Sequence, residues 1–136
     1  MVSMFRDIGF DEFAKELEEL GNVDRYAPEL LAAAAPTLEK ELKKEVLKEA
    51  SRGYATGDLK NSIKPMKPGR NQYGYYVAVT ATGKDRKGVR NNEKLAYLEY
   101  GTSKQEARPV IGKAVHHSEN ECLEIMQEKF NEVTGR

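Results

Sequence analysis

The sequence predicts a single α+β domain spanning residues 1–136, a small antiparallel sheet packed against two long helices and one or two short ones. Three observations carry this expectation. Two long runs, 24–51 and 109–133, repeat apolar residues three and four apart, which gives a helix one buried face. Between them, residues 75–82 (YYVAVTAT) alternate aromatic and β-branched side chains, as a half-buried strand does. The length suits one core, and the composition, 39% hydrophobic and 32% charged, is somewhat polar. Such a balance fits long charged helices or partner subunits that complete the core.

Taken in order, residues 2–8 read as a short strand through Val2, Met4, Phe5 and Ile8. Residues 11–20 read as a helix, because Phe10, Phe13, Leu17 and Leu20 share a face. Gly21 is placed to end it with positive φ. Asp24 is the expected N-cap of the next helix, with a buried stripe of Leu31, Ala34, Leu38, Leu42, Val46 and Ala50. Glu39, Lys40, Lys43, Lys44, Lys48 and Glu49 fall on its solvated side. Pro36 removes a backbone donor and crowds the preceding turn, so a break or kink is expected near Ala35, with Thr37 capping a second piece if the helix breaks.

Residues 52–58 read as a connector, in which Thr56 caps a single turn through Leu59 to Ser62. Residues 63–66 read as a strand, and Pro65 and Pro68 suit an edge position. The PGRN of 68–71 is turn chemistry, and the strand at 75–82 completes a hairpin. Residues 83–92 (GKDRKGVRNN) are basic and polar with two glycines, the composition of a mobile surface loop. Asn91 or Asn92 caps a short helix with Leu95 and Leu98 inward. Alternation there also admits a strand, but Glu93, Lys94, Leu95 and Ala96 favour helix. Gly101 stops it. Pro109 suits the first turn of the last helix, whose stripe is Ile111, Ala114 or Val115, Ser118, Cys122, Ile125, Phe130 and Val133.

The net charge is +0, but the charges are segregated. Residues 7–49 carry 12 acidic and 6 basic side chains, residues 60–90 carry 1 acidic and 8 basic, and residues 117–132 carry 5 acidic and 1 basic. A basic middle between acidic flanks serves either contacts between subunits or nucleic-acid binding. A neutral chain weights the balance toward subunit contacts. The candidate partner-facing or DNA-facing cations are Lys64, Lys67, Arg70, Lys84, Arg86, Lys87 and Arg90, with Lys60 and three tyrosines, Tyr73, Tyr75 and Tyr76, nearby. Either the hairpin docks on an acidic helix of a neighbouring copy, or these residues form a nucleic-acid groove with aromatic interleaving.

Catalytic chemistry finds no convergent set. His116 and His117 are adjacent, so on a helix they point about 100° apart and do not chelate together. Cys122 is the single cysteine and falls on the buried stripe, the place of a small core residue. Asp58 and Glu99 are the only carboxylates suggestive of an acid/base pair, and nothing places them together. Glu99 is expected to hydrogen-bond near Thr102 or the following loop. Phosphate-binding glycine motifs are absent. The expectation is a chain without catalysis, cofactor or metal. The N-terminal MVSMFRDIGF lacks a basic start and apolar core, and no run approaches the ~20 residues of a membrane span. One cysteine suits a reducing compartment.

Two stretches, in order, carry a family resemblance: 56–63 (TGDLKNSI) and 96–104 (AYLEYGTSK), the second followed by Ala107, Arg108, Pro109 and Ala114. Over roughly residues 5–133 the chain resembles the small head–tail joining and tail-completion minor tail proteins of lambdoid-type long-tailed bacteriophages and prophages. That family runs from N-terminal helices through a TG-x-L-x-x-S-I turn, a basic hairpin and Y-x-x-x-E-[FY]-G-T-S to a proline and a final helix. This chain departs from it at Gly53, Tyr54 and Ala55, where a proline usually precedes TG, and at Val110 and Lys113, where an aromatic and a proline are usual.

The resemblance implies a virion structural protein, assembled in the host cytoplasm as a ring at the neck or upper tail. Its implied partners are copies of itself and the head-connector and tail proteins, with genome DNA passing through the channel. A tail-terminator role lies close to this. The implied structural residues are Thr56, Gly57, Leu59, Ser62, Ile63, Tyr97, Glu99, Gly101, Thr102 and Pro109. Gly57 and Gly101 would permit tight turns, and Leu59, Ile63, Tyr97 and Leu98 would be core. Thr102 and Ser103 would bond local backbone. The loop at 101–108 either fixes the fold or also faces a neighbour.

Overall fold

The computed structural model describes residues 10–50, 57–72, 74–104 and 106–135. The strand expected at 2–8 and the cap expected at Thr56 lie outside them. The architecture is mixed α+β, with five helices and a small antiparallel strand set. The order is α1 (Phe10–Glu19), α2 (Val23–Ala50), α3 (Gly57–Ser62), β1 (Ile63–Pro65), β2 (Gly69–Asn71), β3 (Gly74–Tyr76), β4 (Val79–Ala81), α4 (Asn91–Tyr100) and α5 (Val110–Thr134).

α1 ends as its sequence dictates. Gly21 takes φ 76, and the N–H groups of Gly21 and Asn22 close back on the carbonyls of Glu18 and Leu17 at 3.0 and 2.9 Å, which satisfies the last turn. The next helix begins one residue before Asp24, so Asp24 is inside the first turn rather than its cap. A carboxylate there still faces the positive end of the helix dipole. The Asn22 carbonyl accepts the Tyr26 N–H at 3.0 Å.

α2 is the spine, 28 residues and about 42 Å long. Of the break or kink expected near Ala35, the break does not occur: one helix runs through Pro36, and Thr37 is a buried residue within it rather than a cap. The reason lies in which face the proline occupies. Pro36 and Ala32, whose carbonyl loses its partner N–H, are both exposed, on the solvent side of the helix. On the other face Leu31, Ala34, Ala35, Leu38 and Leu42 are buried, and that burial holds the helix together.

α5 lies antiparallel along α2. Lys129 meets Glu29, Cys122 meets the Ala34 carbonyl, His117 meets Glu45, and Arg108 meets Glu49. The buried row of α5 is Val110, Ala114, Ser118, Cys122, Met126 and Phe130, each four residues from the last. It faces a matching row on α2, Leu30, Ala34, Leu38, Leu42 and Val46. Rows spaced by four are one of the two natural ridges on a helix surface. Met126 therefore replaces the expected Ile125, which with Ile111 and Val133 is only half-buried. Phe13 of α1 packs on Phe130 with ring centroids 5.7 Å apart.

The four strands form one hairpin in two segments. Ile63 pairs with Ala81 and Pro65 with Val79, and Gly69 pairs with Tyr76 and Asn71 with Gly74. Met66 N–H to Ala78 O, at 2.7 Å, joins the segments. The turn thus lies between Asn71 and Gly74, and 68–71 is largely strand. A Cβ at Gly69 would lie 2.8 Å from the tip of the Tyr76 ring, which would have to move aside. The hairpin tip is clasped to the start of α2, where the Asp24 carboxylate accepts from the Tyr75 hydroxyl and from Arg70 at 3.3 Å.

Candidate functional site

The stretch bearing the second sequence signature folds as a joint between α4 and α5. Asn91, Leu95 and Leu98 face inward, so α4 is a helix and the strand alternative is excluded. Gly101 ends it with φ 77 and ψ 176, a backbone that side-chain-bearing residues rarely adopt. Its N–H donates to Tyr97 O at 2.9 Å, and Arg108 N–H donates to Leu98 O at 2.6 Å. Both ends of the intervening strap are thereby tied to the last turn of α4. Within it, Thr102 Oγ1 accepts the Lys104 N–H at 3.2 Å, the local bond expected of that threonine. Pro109 stands one residue before α5 rather than in its first turn.

Glu99 is hydrogen-bonded, though to a different group than expected. Its Oε1 accepts the backbone N–H of Ile111 at 2.6 Å. It thus caps α5 from the neighbouring helix, satisfying a donor that Pro109 leaves without a side-chain cap. Glu99→Ala should destabilise the fold by about 1 kcal/mol, and Glu99→Gln by less, measured by urea denaturation. Behind the joint, Arg108 Nε lies 3.6 Å from Glu49 Oε2. Glu49 is buried, at 6% exposure, and not on the solvated face expected for it. Its neighbour Glu45 is also buried, and burial pushes that carboxyl up. Hydrogen bonds from Lys48 and His117 outweigh this and leave it below its ordinary value.

The first signature folds beside the second. Leu59 and Ile63 are buried with Leu98 in one core. Ser62 ends α3, and its carbonyl accepts both the N–H and the hydroxyl of Thr82, at 3.0 and 2.9 Å. The Thr82 carbonyl in turn accepts from Asn91 Nδ2 at 2.8 Å, which ties α3, β4 and α4 together. Two more motif residues, besides Glu99 and Pro109, differ from expectation. Gly57 opens α3 without positive φ, so no tight turn requires it. Tyr97 is 48% exposed rather than core, because the inward positions of α4 are taken by Leu95 and Leu98.

The stretch 83–92 is a structured turn, not an open loop. Asp85 organises it, accepting the N–H groups of Lys87 and Val89, each at 2.9 Å, and Lys94 Nζ at 2.9 Å. Lys84 and Arg90 pair as an isolated bridge. Sequence reading passed over Asp85, although an aspartate three residues before a glycine is a turn signal. The Lys94 ammonium, followed by the two N–H groups, pulls the Asp85 carboxyl down from 3.8 to about 2. A depressed carboxyl contributes stability above its ordinary value and loses it as pH falls through the folded one. Asp85→Asn should therefore lower the melting temperature at neutral pH, and the gap to the parent chain should close between about pH 4 and pH 2.

The candidate cations are not brought to one place. Arg70 lies at the hairpin tip and Lys67 at the junction of its two segments, while Lys84, Arg86, Lys87 and Arg90 lie beyond its open end, roughly 30 Å from Arg70 at strand rise. Lys64 points outward between them. Arg70 is paired with Asp24, Arg86 with Asp58 at 3.0 Å, and Arg90 approaches Glu93 at 4.0 Å. The Arg86 guanidinium holds Asp58 below the usual carboxylate range.

Cys122 is buried on α5, and burial pushes its thiol up to about 11, so it stays protonated and unreactive at neutral pH. Among the described residues, no three His, Cys, Asp or Glu side chains converge as a metal site, and no helix is long and apolar enough to cross a membrane.

No family model matches the chain, and comparison with curated proteins and with solved structures finds no match.

Proposed function

We propose that this chain is a structural component of the phage neck or upper tail, forming an oligomeric ring that helps join the head connector to the tail tube. The reading rests on the two sequence signatures. The observation that supports it is the joint they build. α3 and α4 pack together, with Leu59 and Leu98 in the core. Glu99, Arg108 and Gly101 anchor the strap, and the exposed residues Thr102, Ser103, Lys104 and Glu106 are left on the outside. A fixed frame with an outward strap is what a subunit needs to meet its neighbours reproducibly.

Deleting the gene from the phage or prophage that encodes it should leave filled heads and finished tails unjoined, and supplying the chain should rejoin them. Infectious, joined particles formed without it would overturn the proposal. The spread of the cations along the hairpin and beyond its open end, with three of them engaged by carboxylates, disfavours a nucleic-acid groove. Purified protein should accordingly show no tight duplex binding. An affinity that falls steeply with salt would favour the nucleic-acid reading instead.

A further inference from the structure

The two ends of the α2–α5 pair differ in their balance of exposed charge, and each carries exposed apolar side chains. One end holds the hairpin tip, α1 and the last turns of α5, joined through Phe13 on Phe130 and Arg70 on Asp24. Exposed there are Glu12, Glu16 and Glu19 of α1 and Glu128 of α5, beside Leu20 at 44% exposure. The cations at that end are fewer: Lys15 and Arg25 are exposed, with Arg25 over the Tyr26 ring, and Arg70 is occupied by Asp24. The other end holds α4, the Asp85 turn and the strap. Lys84, Lys87 and Lys104 are exposed there, and among the described residues none has a carboxylate within pairing distance. On α4 Tyr97 and Tyr100 are 48% and 70% exposed; Glu93 on the same helix, which Arg90 approaches at 4.0 Å, and Glu106 on the strap are the exposed carboxylates of this end. The ends are separated by much of the length of α2, about 42 Å, against a screening length of about 8 Å in physiological salt.

We infer that the surface formed by Tyr97, Tyr100, Lys84 and Lys87 docks the acidic end of a second copy of this chain, with Leu20 and the α1 glutamates as its counterpart. The inference rests on the ring reading and names the contact between subunits. Tyrosine supplies rigid contact area, and the lysines around it set orientation and approach rate. The two ends are unlike, so a two-fold pairing of either end with itself would set like charge against like. Opposite ends fit head to tail, and repeated head-to-tail contacts close into rings when the rotation permits.

The test is sedimentation at low ionic strength, up to millimolar protein. The parent chain should associate, and salt should reverse it. Two variants reverse one end each: Lys84→Glu with Lys87→Glu, and Glu16→Lys with Glu19→Lys. These side chains are exposed and make no side-chain bonds among the described residues, so each variant should keep the parent circular-dichroism spectrum. Each alone should associate at least about tenfold more weakly, and an equimolar mixture should associate again because every contact is then complementary. Tyr100→Ser should weaken association without changing its salt dependence.

A parent chain that stays monomeric throughout, or association that survives both reversals, overturns this surface. So does duplex DNA binding lost in the lysine variant without any self-association. Failure of the ring reading would show itself differently, as normal head–tail joining in the deleted phage whatever the sedimentation result.

Discussion

Met126→Ala is expected to destabilise the fold by about 2–5 kcal/mol, while Ile125→Ala costs clearly less. Met126 is fully buried in the α5 row that faces α2, and its neighbour in sequence is only half-buried. Removing the thioether chain leaves a cavity between two long antiparallel helices. They cannot close it without moving the contacts on either side, Cys122 on the Ala34 carbonyl and Phe130 on Phe13. Urea denaturation of the two variants checks this. Equal losses, or a larger one at Ile125, would mean that α5 presents a different row to the spine.

Gly101→Ala is expected to cost about 1–3 kcal/mol, because φ 77 with ψ 176 is a conformation that a Cβ strains. The effect should be concentrated at the joint. Amide exchange should quicken at Arg108 and Ile111, whose N–H groups bond to Leu98 O and Glu99 Oε1 across it. A stabilised variant, or exchange unchanged at those amides, would contradict the view that Gly101 sets the angle between α4 and α5.

Much of this fold was legible in the sequence, where local chemistry decides. Gly21 and Gly101 end helices with positive φ, and the alternation in 75–82 gives β3 and β4. What was not legible depended on partners far along the chain. Pro36 suggests a break until it and Ala32 are seen to lie on the solvent side of the helix. Met126 and Ile125 are both consistent with helical spacing, and only the row on α2 selects between them. Glu49 looks solvated until Arg108 is laid over it by the strap. The candidate site was legible as a set of motif residues, yet its geometry was not. Glu99 caps a helix through a backbone N–H 12 residues away, and the basic residues of the hairpin are spread along its length. The resemblance implies Tyr97 as core, but helical spacing gives the inward face of α4 to Leu95 and Leu98 and leaves Tyr97 outside.

The most direct test of the proposed role is electron microscopy of purified virions that carry an epitope-tagged copy of this chain and are labelled with antibody. The account predicts label at the head–tail junction and a closed ring of repeated subunits there. A chain absent from virions and recovered only in host complexes, or label confined to the capsid or the distal tail, would contradict it.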